Sequence, residues 1–146
     1  MDIFLDIVTN KCIYLCFGVW FFIQLSKVIT DLIKTKKFNF KRIMGAGGMP
    51  SSHSAVVCCL AAQIGRNYGF DSGVFAISLI FAFVVMYDAA GIRRAAGKQA
   101  KLLNKIVETP GLTTVEVQER LVEVLGHTPV QVLVGALIGF VVGGIF

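Results

Sequence analysis

A chain of 146 residues leaves room for one domain. It is 55% apolar and only 16% charged, whereas an average soluble domain carries roughly 25% charged residues. A net charge of +5 raises the question of nucleic acid, but the basic residues gather in two short stretches beside long uncharged windows. Disorder is excluded, and a small all-α, polytopic membrane helical bundle is expected in place of a soluble globule.

The opening segment MDIFLDIVTNK places two acids before its first lysine. A secretory leader begins with a basic region, so this end is expected to belong to the mature protein. The first apolar window, Cys12 to Ser26, extends as helix to about Ile33, with Lys27 and Asp31 spaced as an i,i+4 pair. At 1.5 Å rise per residue that length crosses a hydrocarbon core of ~30 Å. Trp20 sits in mid-window, away from any interface. A basic loop from Lys34 to Arg42 follows, then the hinge Gly45 to Pro50. Pro50 suits the first turn of a helix that Ser51 or Ser52 caps. The second window ends near Arg66, and the third runs from Ser72 to Tyr87, with Asp88 at its end.

Beyond it, Arg94, Lys98, Lys101 and Lys105 form one basic stripe on a helix. Ile92, Leu102, Leu103 and Ile106 fall on the other side, the pattern of an interfacial amphipathic helix. Pro110-Gly111 breaks it. Thr113 to Leu125 forms a second short amphipathic segment, with Thr113 and Glu116 as a capping box. The last window reaches Phe146, and Gly135, Gly139 and Gly143 recur along it every four residues. Such a ridge lets another helix approach closely, either within the bundle or as a homodimer seam. The expected spans are 12–33, 51–66, 72–88 and 128–146 of a single membrane domain covering 1–146. The basic loops 34–50 and 89–127 then share one face. By the positive-inside rule that face is cytoplasmic and both termini lie outside. A bacterial plasma membrane is the expected location.

The four cysteines, Cys12, Cys16, Cys58 and Cys59, lie in apolar windows without zinc-ligand spacing and read as packing residues. The 12 phenylalanines fall mostly in or beside these windows, which speaks against a nucleic-acid partner. The only 2 histidines, His53 and His127, begin the second and fourth windows. The topology gathers them at one interface with Asp88, Arg93 and Arg94. Helix starts present unpaired N–H groups, arginines add a fixed cationic fork, and histidines exchange protons near neutral pH. Together they suit an anionic phosphate. A metal or transport site from His53, His127 and Asp88 is the weaker alternative, since arginines repel a cation.

The segments GGMPSSHSAVV, YDAAGIRRAAGKQAKLLNKIVE and LGHTPVQVLVGALIG, in this order, resemble the divergent branch of the type-2 phosphatidic acid phosphatase superfamily. The resemblance covers residues from about 25 to 146. It implies metal-independent hydrolysis of a lipid phosphate or lipid pyrophosphate through a phosphohistidine, without a cofactor. It makes His127 the nucleophile and His53 the general acid, with Ser51 and Ser52 at the phosphate. The superfamily carries an acid four residues after its nucleophile, whereas this chain has Gln131. It also carries an arginine six before, where Leu121 stands. Arg93 and Arg94 are the expected substitutes, with Asp88 orienting one of them or His53. Of the family's Lys-x6-Arg-Pro no clean copy is present; Lys34 and Lys37 are the expected phosphate ligands of that region. Because Gln131 carries no charge, a phosphate-binding membrane protein without full turnover is the alternative.

Overall fold

The structure, a computed structural model, describes residues 2–36, 48–108, 121 and 126–146. Among these residues every regular element is helical: α1 (Ile3–Val8), α2 (Lys11–Thr35), α3 (Ser52–Tyr68), α4 (Gly73–Ala90), α5 (Ile92–Glu108) and α6 (Pro129–Ile145). The expected second amphipathic segment at 113–125 and Lys37 lie outside the described residues, Leu121 excepted.

Local chemistry sets the ends of these helices. Asn10 caps α2 by accepting the N–H groups of Cys12 and Ile13, and Lys36 closes it in the left-handed conformation with its N–H on the Leu32 carbonyl, 2.8 Å away. Ser72 caps α4 by accepting the Phe75 N–H. Only Gly91 separates α4 from α5, so the expected amphipathic helix of the 89–127 connection follows directly on α4. Helix α5 has the expected amphipathic form, with Ile92, Leu102 and Leu103 exposed.

Helix α3 is the hub: α2, α4 and α6 each pack on it, and its contact with α6 is the most extensive. The reason is side-chain size. Gly135, Gly139 and Gly143 of α6 face the backbone carbonyls of Ser51, Ala55 and Cys59 so closely that a Cβ on any of the three would overlap them. Matched steps of four on both helices make the pair parallel. The glycine ridge is therefore filled by α3 of the same chain. Of its two readings the structure takes packing within the bundle, and the face proposed as a homodimer seam is covered. Helix α2 runs antiparallel to α3, bringing Cys16 near Val56 and Lys27 near Ser52.

Among the described residues two apolar runs are long enough to cross a membrane, Lys11–Thr35 and Gly73–Glu108, the latter divided at Gly91; Pro129–Ile145 is a shorter apolar helix. On α4, Ile77, Ile80, Phe81 and Phe83 are all exposed. A helix apolar all round suits lipid.

Candidate functional site

Because α3 and α6 run parallel, their N-termini lie side by side. Ser51 caps α3: its hydroxyl accepts the Ser54 N–H at 3.4 Å and the Ser54 hydroxyl at 3.0 Å. Its own N–H donates to the Gln131 carbonyl at 3.0 Å, tying one helix start to the other. At the start of α6, Thr128 and Gln131 form a reciprocal capping box. The Thr128 hydroxyl accepts the Gln131 N–H at 3.4 Å, and Gln131 Oε1 accepts the Thr128 N–H at 2.9 Å.

His127 precedes this box and is held from a third direction. Its N–H donates to the Ala89 carbonyl at 2.9 Å. Gly126 has a φ of +91° and lies so close to the Arg93–Arg94 backbone that a Cβ would overlap it. Only glycine meets both demands. The elbow between α4 and α5 thus sets the position of His127.

These constraints bring the two histidines together, with ring centroids 5.9 Å apart and ring planes at 63°. His127 is 2% exposed. In each ring Nδ1 is buried, with no hydrogen-bond partner among the described residues. Burial pushes His127 below the ordinary histidine pKa of 6.5, and the Lys27 ammonium pushes the same way; Gln131 and the Gly48 backbone pull in the opposite direction. A neutral imidazole is a nucleophile and an imidazolium is not, so this shift favours attack.

Lys27 was not among the residues expected here. It is 3% exposed and donates from Nζ to Ser52 Oγ at 3.4 Å. A buried ammonium is costly unless polar or anionic partners surround it, and the Ser52 hydroxyl is one such partner. With Lys34, Asp31, Gly48, Met49 and Gln131 it lines a cavity of about 230 Å³. The seven-residue spacing of Lys27 and Lys34, that of the superfamily's Lys-x6-Arg, was the available signal. The i,i+4 spacing to Asp31 drew attention to the helix surface instead.

The other expected residues divide. Lys34 lines the cavity. Ser52 is buried and accepts from Lys27. Ser51 has no exposed surface, and its hydroxyl serves as the cap of α3. Gln131 Oε1 is engaged in the capping box, so the side chain stabilises the helix start as well as adjoining His127. Arg93 Nε pairs with Asp88 Oδ2 at 2.6 Å, at side-chain exposures of 46% and 35%, so Asp88 orients Arg93. Arg94 is exposed and contributes its backbone to the Gly126 contact. Among the described residues no three His, Cys, Asp or Glu side chains converge to hold a metal ion.

A sequence profile of the family described as Divergent PAP2 matches residues 8–142. The chain belongs to that family. The uncharacterized membrane protein YuiD of Bacillus subtilis (strain 168) is 37% identical over 146 residues, an alignment covering 92% of each chain. No solved structure matches. The resemblance carried by the three sequence segments is thus correct, and the chain, helical in every regular element among its described residues, is a membrane protein of a phosphatase-related family.

Proposed function

We propose that this Divergent PAP2 member is a membrane-embedded phosphatase that hydrolyses a lipid phosphate or lipid pyrophosphate through a phosphohistidine. The observation that carries the reading is the meeting of His53 and His127, 5.9 Å apart, beside the buried Lys27. A nitrogen of His127 attacks phosphorus, the bond from phosphorus to the leaving oxygen breaks, and His53 gives that oxygen its proton. Water then attacks the phosphohistidine while His53 takes its proton, releasing phosphate and restoring both rings. Lys27, Ser52 and the N–H groups at the two helix starts stabilise charge on the phosphoryl oxygens.

In this reading α2, α3, α4 and α6 are four crossings. The antiparallel α2 and α3 and the parallel α3 and α6 support that alternation. Both termini then lie outside, and the site faces the cytoplasm of a bacterial plasma membrane, where Lys34, Lys37, Arg93 and Arg94 attract anionic headgroups. Phosphate release is to be measured with phosphatidate, phosphatidylglycerophosphate and polyprenyl phosphate. At least one is hydrolysed by the wild type, and the rate falls at least about a thousandfold in His127→Ala. Unchanged turnover in that variant sinks the mechanism.

The engagement of Gln131 in the capping box favours a second reading, a lipid-phosphate-binding protein with weak or no turnover. Saturable vanadate or phosphate binding without hydrolysis, in both the wild type and Gln131→Glu, distinguishes it.

A further inference from the structure

An apolar cavity lies apart from both histidines. It measures about 330 Å³ and lies in the seam between α2 and α3, lined by Ile13, Cys16, Phe17 and Trp20 of α2 and Val56 and Leu60 of α3. Its volume falls at the lower end of the ~300–1,000 Å³ typical of ligand pockets. Both walls continue helical stripes that begin at the phosphate-binding end. On α2, Ile13, Trp20, Lys27 and Lys34 recur every seven residues; on α3, Ser52, Val56 and Leu60 recur every four. Residues at these steps lie on one helix face. The bond from Lys27 to Ser52 closes the seam at its polar end. Trp20 lies seven residues from Lys27 and Ile13 fourteen, so the stripe extends about 10 to 21 Å from the ammonium.

We propose that the α2/α3 seam holds the aliphatic chain of an amphiphile whose phosphate is bound at Lys27. The inference rests on the lipid-phosphate reading above and adds where the chain lies. A cation at one end and, beyond the buried Gln24, an apolar cavity on the same two faces complement a single-headed anionic lipid. A water-soluble phosphate ester would leave the furrow unused. The seam also gives a role to Trp20, whose place in mid-span no interface explains.

Trp20 is the only tryptophan, so its fluorescence reports the seam directly. The full chain is reconstituted in phosphatidylcholine vesicles and titrated with phosphatidate brominated along its acyl chain. Identically brominated phosphatidylcholine serves as the comparison. Brominated phosphatidate is expected to half-quench Trp20 at a roughly tenfold lower mole fraction. Val56→Phe, and separately Leu60→Phe, fill the furrow and remove that preference. Gly18→Phe, whose Cβ points into open space outside this cavity, retains it. Equal quenching by the two lipids, meaning bulk lipid only, overturns the inference, as does a preference that survives both filling variants. Preferential quenching in a wild type that hydrolyses nothing would sink the phosphatase reading and leave the seam standing. Hydrolysis without preferential quenching would do the reverse.

Discussion

Helix α3 has two principal partners in the described residues besides α4, and it meets them in opposite ways. Against α6 it runs parallel, and three glycines bring backbone onto backbone with no space left. Against α2 it runs antiparallel, burying Gln24 and Lys27 and leaving a cavity of about 330 Å³. The closed contact fixes the two imidazoles, because any slip of α6 along α3 would carry His127 away from His53. The open contact brings a buried cation to the same end. On the proposed reading, rigid placement of reacting groups and room for a substrate fall on different faces of one helix.

The largest expected effect comes from the open side. Lys27→Met removes the buried ammonium and lowers kcat/KM for a lipid phosphate by about a hundredfold or more, the scale of losing one positioned charge in a phosphoryl site. The pH profile adds a sign. Burial and Lys27 both lower the His127 pKa, so in the wild type the acid limb of kcat/KM lies below 6.5, the ordinary histidine value. Lys27→Met moves that limb to higher pH; an unmoved limb would separate Lys27 from His127.

The closed side yields the next effect. Gly139→Ala drives a methyl group into the Ala55 carbonyl and destabilises the protein by about 1–3 kcal/mol, read as a lowered unfolding temperature in detergent. Gly144→Ala meets open space and changes stability by less than about 0.5 kcal/mol. Gln131→Glu comes third. Glutamate at this position keeps the capping box and adds a negative charge beside His127, so phosphate release rises roughly tenfold with the melting temperature unchanged. Arg93→Gln has the smallest effect, within about threefold in kcat/KM, because its pair with Asp88 is solvent-exposed and screened.

Much of this arrangement is legible in one dimension. Uncharged windows bounded by charge locate α2, α3, α4 and α6, and the steps of four and three among Arg94, Lys98, Lys101 and Lys105 locate α5. The convergence of His53 and His127 follows from counting windows, since both stand at the same end of alternating helices. Spacing fails where a residue has two faces to choose from. Lys27 has a surface partner in sequence, Asp31, and a buried one in space, Ser52, and only the packing of α2 on α3 decides. The glycine ridge likewise marks a close approach without saying which helix fills it. Thr128-Pro129-Val130-Gln131 has the spacing of a capping box, while its place four residues after His127 equally suits Gln131 as a partner of the ring. Ser51 and Ser52 are both plausible caps by type; the Ser54 N–H on the Ser51 hydroxyl makes the choice.

The most direct test is capture of the covalent species on a ring. The purified protein is mixed with a lipid phosphate, quenched under alkaline conditions that preserve phosphorus–nitrogen bonds, and mapped by mass spectrometry. A phosphoryl group on His127, absent from His127→Ala and accumulating when His53→Ala slows its hydrolysis, is the predicted result. Hydrolysis that proceeds with no phosphorylated histidine, or with the phosphoryl group on His53, would contradict the assignment of the two rings.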